Sequence, residues 1–279
     1  MTNHQENAIA AFRALHESGC FVLPNPWDVG TAIYLKHLGF KALATTSAGY
    51  AFTRGLPDSV LAIKRDEMLA HVREIASATS LPVNADFQNG YAAPPDDVAR
   101  SVELCIKTGV AGLSIEDATG NDDAPLYETT LAIARIKAAR QAIDESGVPV
   151  VLTARCEAAL VGHASPLEVA LERLVAFSEA GADCLYAPGL SEPQHIAAIV
   201  KAVAPKPVNV LMSRPNPSLP VSRLAELGVR RISVGSALAR VAWSGFVRAA
   251  RQLAEGSFDG FATAATFKEL EEVFESTTK

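Results

Sequence analysis

The chain has 279 residues and lacks the marks of several large protein classes. Its 25 Lys and Arg are outnumbered by 31 Asp and Glu, a net charge of −6. They form no stripe that could neutralise a phosphate backbone, which excludes nucleic acid as a partner. No apolar run approaches the ~18 residues needed to cross a bilayer. The opening stretch, MTNHQENAIAAFRALHESG, is polar and helically spaced rather than basic and then apolar, so the expectation is a cytoplasmic protein with no membrane partner. The four cysteines (Cys20, Cys105, Cys156 and Cys184) are scattered with no C-x-x-C pair. They read as reduced thiols acting as small hydrophobes, not as zinc ligands. No G-x-G-x-x-G follows the first apolar run, where a dinucleotide-binding sheet carries its phosphate loop. No lysine stands at the C-terminal end of such a run, because Lys41, Lys107, Lys137, Lys201 and Lys206 fall on helices or before strands. Schiff-base chemistry is disfavoured accordingly.

What is present is a regular alternation. Eight short apolar runs, Phe21–Leu23, Ala42–Thr46, Pro82–Ala85, Gly112–Ile115, Val150–Ala154, Cys184–Ala187, Val208–Met212 and Ile232–Val234, each end in a polar residue, glycine or proline. Between them lie helically spaced segments at Val29–Leu38, Val60–Ala78, Pro95–Thr108, Glu128–Glu145, Pro166–Ala180, Glu192–Val203, Leu219–Leu227 and Ser236–Ala254. Gly39, Gly109, Gly147, Gly181 and Gly228 each close a helix before the next strand. Strand and helix alternating eight times predict a single (β/α)8 TIM-type barrel, residues 1–279, with its core over about 18–254. A doubly wound open sheet is the alternative. A further helical segment, Ala262–Ser276, predicts an extra C-terminal helix that packs on its own barrel or reaches a partner subunit. Gly49–Ser59 and Asp117–Tyr127 are long connections on the face where a barrel carries its site, the usual place for lids.

On that face the strand ends bring chemistry together. Asp86 follows Val83-Asn84-Ala85, and Glu116 follows Leu113-Ser114-Ile115. A carboxylate directly after an apolar strand is partly dry and costly unless it is paired or metal-bound. Two from neighbouring strands call for a cation, and Mg²⁺ (or Mn²⁺) suits oxygen donors that leave waters in place. A plain ion pair with Arg155, or helix capping, is the competing explanation. The Arg155 guanidinium fork can hold a substrate carboxylate, or pair with Glu157 or Glu116. Ser47-Ala48-Gly49 offers a hydroxyl and backbone N–H groups for an anion. Of the histidines, only His163 follows a strand on this face, and His37, His71 and His195 are expected at the surface.

Several motifs in order, Asn25-Pro-Trp-Asp28, Thr46-Ser-Ala-Gly49, Val83-Asn-Ala-Asp86 with Asn89-Gly-Tyr91, Gly112-Leu-Ser-Ile-Glu-Asp117, Ala154-Arg-Cys-Glu-Ala158 and Arg231-Ile-Ser-Val-Gly235, resemble the isocitrate lyase/phosphoenolpyruvate mutase superfamily. The resemblance runs from about residue 20 to residue 245. It implies a Mg²⁺-dependent enzyme acting on 2-oxo or 2-hydroxy carboxylates. It also implies a metal held largely through water by Asp86, Glu116 and Asp58, and a carboxylate bound by Ser47, Ala48 and Gly49 with Arg155 on the substrate. Asn209 joins the expected substrate-binding set. Such proteins are commonly tetramers that exchange their last barrel helices, so a homo-oligomer, dimer or tetramer, is expected here.

Departures narrow the reading. Asn84 stands where the family often has a first aspartate, and extra residues precede Gly90-Tyr91, so one metal contact is lost or made through water. The Lys-Lys-Cys-Gly-His signature of isocitrate and methylisocitrate lyases is absent, and Asp117–Tyr127 holds neither a cysteine nor a Phe-Pro-Lys element. The expected activity is a carbon–carbon lyase, a carboxy-lyase or oxo-acid-lyase working through an enolate on an oxaloacetate-like substrate. Arg155, Glu116 and Tyr127 are its expected catalytic residues, with Glu128 or Asp122 as other proton carriers on the lid. The rivals are P–C bond chemistry on a phosphonopyruvate-like compound and a non-catalytic 2-oxo acid binding protein.

Overall fold

The strands are parallel because every return between them crosses through a helix. The computed structural model describes residues 3–59 and 62–275. Strands β1 (Phe21–Leu23), β2 (Leu43–Ala44), β3 (Val83–Asp86), β4 (Gly112–Glu116), β5 (Val151–Arg155), β6 (Cys184–Tyr186), β7 (Val208–Leu211) and β8 (Arg231–Ser233) form a TIM-type (β/α)8 barrel. Their hydrogen-bonded order is β1-β8-β7-β6-β5-β4-β3-β2. The remaining seam, between β1 and β2, is stitched by fewer bonds. Ala44 N donates to Pro24 O at 3.0 Å. The Asn25 amide donates to Thr45 O at 2.8 Å and accepts from Val234 N and Gly235 N at 3.0 and 2.9 Å. One buried side chain thus ties β1, β2 and β8.

Helices α1 (Asn3–Glu17), α2 (Val29–His37), α3 (Ser47–Thr53), α4 (Arg65–Ser77), α5 (Pro95–Ile106), α6 (Thr129–Ser146), α7 (Pro166–Glu179), α8 (Pro193–Val203), α9 (Val221–Glu226), α10 (Ala237–Ala254) and α11 (Phe267–Glu275) complete the chain. Outward strand residues such as Leu113, Ile115, Leu152 and Val210 are buried beneath the helices. Inward positions are largely polar: Asn84 and Asp86, Ser114, Arg155, Asn209, Arg231 and Ser233 line the barrel's interior. The strands therefore carry a period of two that the short apolar runs conceal.

Two segments depart from the sequence reading. The connection expected over Gly49–Ser59 is helical in its first part, within a helix Ser47–Thr53 capped by Thr46 accepting from Gly49 N. The helix expected from Val60 starts at Arg65 instead, where Asp66 and Glu67 fill a first turn that favours negative charge; Val60 and Leu61 lie outside the described residues. The C-terminal expectation resolves into a 3-10 turn at Asp259–Thr263 and α11, while Ser276 lies outside the described residues. Helix α11 packs on α2 of its own barrel, with the Phe274 ring 3.8 Å from where a Cβ on Gly30 would stand. His71, expected at the surface, is buried and stacked on Tyr50 with ring centroids 3.8 Å apart. Cys105, Cys156 and Cys184 are buried and unpaired. Among the described residues no helix is long and apolar enough to cross a membrane.

Helix α1 covers the end of the barrel opposite the catalytic face. Gln5 Nε2 donates to Ile106 O and Val110 O at 2.9 and 3.1 Å, and Arg13 Nε to Pro149 O at 2.8 Å. Phe12, 0% exposed, reaches the floor of the barrel, where a Cβ on Gly112 would stand 2.8 Å from its ring. Phe12→Ala is expected to lower unfolding free energy by about 3–5 kcal/mol, the range for a buried aromatic truncated in a site that cannot collapse. A urea titration followed by circular dichroism measures it.

Candidate active site

The centre of the site is Arg155, the last residue of β5. In the parallel register it lies beside Glu116 on β4 and Tyr186 on β6. Its Nη1 lies 3.2 Å from Glu116 Oε2 and 3.4 Å from Asp86 Oδ1, its Nη2 donates to Glu157 Oε2 at 3.1 Å, and its Nε pairs with Glu157 Oε1. Three carboxylates thus share one guanidinium. Burial alone would lower the Arg155 pKa, but Glu157 and Glu116 push it well up, so the cation persists. Glu116 moves the other way from an ordinary carboxylate: burial raises its pKa well above normal against the pull of Arg155, helped by Glu157 and Asp86.

Asp86 is held from the second side. Its Oδ2 accepts both Ser47 N and Ser47 Oγ at 2.9 Å, and its own N–H donates to Thr45 Oγ1 at 2.9 Å. The Ser47–Gly49 cradle expected to receive a ligand is therefore partly engaged by the protein's own carboxylate, and Gly49 N is taken by Thr46. Ser47 and Ala48 still line the cavity; Gly49 is packed behind them against Trp27 and Ala239. Asp58 lines the same cavity as Asp86 and Arg155. Its pKa is raised, first by desolvation and then by the charge of Asp86.

The expected lid is tied down at its base. Asp117 Oδ1 accepts from Glu157 N at 2.7 Å and Oδ2 from Arg173 Nη1 at 2.8 Å, while Ala118 and Leu126 bridge as an antiparallel pair. Tyr127 is not brought to the cavity. Its ring lies under the Arg135 guanidinium, 3.9 Å from centroid to Cζ, and its hydroxyl is 3.4 Å from Asn89 Nδ2. Asp122, Glu128 and His163 are exposed and line no part of the site's cavities. Buried Arg135 also holds the loop after β3, bonding Asn89 O, Ala92 O at 2.9 Å and Glu116 O at 3.3 Å. That loop contains the extra residues noted in the sequence, and within it Gln88 and Tyr91 adopt left-handed φ of 46° and 59°. Such backbone persists only where neighbours impose it.

Two compartments open at the barrel mouth. An inner one of about 50 Å³ is lined by Asn84, Ser114, Asn209 and Arg231, and an outer one of about 330 Å³ by Ser47, Asp58, Leu211 and Arg214; Asp86, Arg155 and Tyr186 face both. Tyr186, unsuspected from the sequence, accepts from Ser233 Oγ at 3.5 Å, and burial pushes its pKa up to about 12. Its signal was positional: it shares the register of Arg155 at the end of an apolar run. Asn209 accepts from Arg231 Nε and donates to Ser233 Oγ, both at 2.9 Å, so it lines the floor while bonded to it.

The donors suit a hard divalent cation held by few protein oxygens. Asp58 and Asp86 face one cavity as like charges, and the buried Asn84 Oδ1, set 2.9 Å from where a Cβ on Gly112 would stand, has no hydrogen-bond partner among the described residues. No group of three or more His, Cys, Asp and Glu forms a ready cage among the described residues. That donor set fits Mg²⁺, which keeps several waters, better than it fits Zn²⁺. Glu116 is turned to Arg155 instead.

A family model described as phosphoenolpyruvate phosphomutase matches residues 12–254, most of the chain and every strand of the barrel. The chain belongs to this family. It lies within the isocitrate lyase/phosphoenolpyruvate mutase superfamily. A crystal structure from Burkholderia cenocepacia J2315, described as a candidate lyase/mutase, is 45% identical with a TM-score of 0.93, covering 98% of this chain and 97% of that one. An uncharacterized protein of Mycobacterium tuberculosis is 32% identical over 253 residues, 90% of each chain. The oxaloacetate decarboxylase of Pseudomonas savastanoi pv. phaseolicola is 30% identical over 228 residues, 79% of this chain and 75% of that one. Relatives with assigned activities include lyases such as this decarboxylase.

Below the site, Arg231 (2% exposed) donates to Thr153 Oγ1 at 3.0 Å and meets His16 Nε2 at 3.4 Å. His16 Nδ1 lies 2.7 Å from Phe12 O. A carbonyl only accepts and a guanidinium only donates, so a neutral imidazole protonated at Nδ1 satisfies both. Burial first, and Arg231 second, lower the His16 pKa from 6.5 to about 3. Between those values the unfolded chain binds more protons than the folded one, so this group's contribution to stability falls as pH drops below 6.5. His16→Gln is expected to remove roughly 1–2 kcal/mol of the loss between pH 7.5 and 5. Urea unfolding of both proteins at each pH isolates the difference.

Proposed function

We propose that this protein is a Mg²⁺-dependent carbon–carbon lyase acting on a small 2-oxo or 2-hydroxy carboxylate of the oxaloacetate kind. The reading rests on one observation: Asp86, Asp58 and Arg155 face a single cavity at the C-terminal mouth of a barrel of this family. Asp86 and Asp58 would hold the metal with water, and Asn84 Oδ1 would bond one of those waters. When bound, Mg²⁺ would supply a Lewis acid for charge developing on the substrate's oxo oxygen.

The chain's own groups do the rest. Arg155, locked by three carboxylates, presents a fixed positive charge that orients a substrate carboxylate and faces the enolate. In decarboxylation of oxaloacetate the C3–C4 bond breaks, CO₂ leaves, and the electron pair stays as pyruvate enolate. One proton delivered to C3 gives pyruvate. Tyr186, whose phenol stays protonated at neutral pH, lines both compartments and is the group we assign to return that proton. The family model's description keeps P–C bond chemistry on phosphonopyruvate as the second reading.

Oxaloacetate, phosphonopyruvate and pyruvate, each with Mg²⁺ or EDTA, with products followed by NMR, test these readings. Pyruvate and CO₂ from oxaloacetate, dependent on Mg²⁺ and lowered about 10²–10³-fold by Asp86→Ala, is the expected result. Ligand binding without turnover would make the protein a binder, and turnover of phosphonopyruvate alone would favour the mutase reading. Tyr186→Phe is expected to lower kcat about 10²-fold with KM little changed.

We also infer a homo-oligomer built on α10. Among the described residues this 18-residue helix buries only Ala239 and exposes Phe246 at 62%, Trp243 at 42% and Val247 at 37%, which the helical period places on one side. Such an apolar face is too large to leave in water. Light scattering is expected to give a dimer or tetramer, and Phe246→Asp to shift it toward monomer; a monomeric parent chain would sink the idea.

A further inference from the structure

Near the reacting end Arg155 is already shared among three carboxylates and Ser47 is bound to Asp86, which leaves neither free to take a second anionic group. Two other arginines reach the outer compartment, Arg214 from the β7–α9 loop and Arg240 from the first turns of α10. Neither belongs to an ion pair among the described residues, and Arg214 shows no hydrogen bond there either. Arg214 also lines a neighbouring cavity of about 490 Å³, shared with Leu160, Met212 and Asn216, so it stands where the outer compartment opens toward solvent.

The loop that carries it is built to hold its shape. Prolines at 215, 217 and 220 restrict its backbone. Asn216 Oδ1 accepts from Ser218 N at 3.1 Å and from Ser218 Oγ at 2.6 Å, and Leu219 is buried in the core. Arg240 donates to Ser213 O at 2.7 Å, tying the residue before Arg214 to α10. An unpaired guanidinium on a loop whose backbone is already held can read a second anionic group at the far side of the cavity without the cost of ordering that backbone.

We propose that Arg214 is a specificity residue that binds the distal carboxylate of a dicarboxylate substrate, with Arg240 positioning its loop. This rests on the lyase reading above and adds the residue that tells an oxaloacetate-like diacid from a monoacid. In oxaloacetate that distal group is the C4 carboxylate that leaves as CO₂, so the Arg214 contact selects the bound diacid and is lost as the C3–C4 bond breaks.

The test compares oxaloacetate with its 4-methyl ester and with pyruvate, using the full chain with Mg²⁺ and reading ligand-induced Tm shifts for all three together with KM for oxaloacetate. Wild type is expected to prefer oxaloacetate, and Arg214→Gln to weaken oxaloacetate about 10- to 100-fold while leaving the ester and pyruvate within about twofold. Arg214→Lys is expected to restore part of that loss, and Arg240→Gln to give a smaller loss of the same selectivity. Equal weakening of all three ligands, or no change for oxaloacetate, overturns the clamp and leaves the lyase reading standing. If wild type neither binds nor turns over any of the three, both readings fall. Ligand-free Tm values of the variants separate a folding defect from a binding one.

Discussion

Three carboxylates, Asp86, Glu116 and Glu157, come from three places in the chain and are made compatible by one guanidinium. Like charges this close and this dry would repel, and each would lose its hydration without recompense. Arg155 resolves the conflict only if β3, β4 and β5 hold their register, so the barrel and the site depend on the same contact. Asp117 extends it outward, accepting from the Glu157 backbone and pairing with Arg173 on α7. The mouth of the barrel is therefore a charge network with the strands as its scaffold, and the substrate chemistry has to work within that constraint.

The interior below it is unusual for its polarity. Arg231 is almost fully buried with no carboxylate partner among the described residues, and is satisfied by Asn209, Thr153 and a neutral His16. A buried cation in such surroundings raises the local potential beneath the cavity floor. Helix α1 shares in this arrangement, since His16 and Phe12 lie on it and Phe12 fills the floor against Gly112. Closure of the barrel's far end and satisfaction of its polar interior are thus one structural device.

These features were unequally legible. Asp86, Glu116 and Arg155 could be read because each directly follows an apolar run, and the eight-fold alternation led to the barrel itself. Asn84, Arg231 and Tyr186 were harder because they sit inside or at the end of the runs, at inward positions whose parity a three- to five-residue strand barely displays. The role of Ser47 could not be read from spacing, because its N–H and hydroxyl face Asp86 across a separation of 39 residues. The lid's apparent freedom was similarly deceptive. Its length suggested mobility, but Arg173 and Asp117 clamp its base, and Tyr127 serves as a platform for Arg135.

The division of labour between floor and rim has a physical reason. Charged groups inside the barrel must be satisfied before any ligand arrives, because an orphaned charge there would cost more than the fold can absorb. Their pairings are accordingly fixed, and changing one disturbs several. The loop that carries Arg214 lies under no such constraint: its side chain is exposed, its backbone is anchored by prolines and Leu219, and its charge is unspent. Variation in what the barrel accepts can therefore proceed at the rim while the Arg155 network keeps the reacting end constant. One fold can support several carboxylate reactions on that basis.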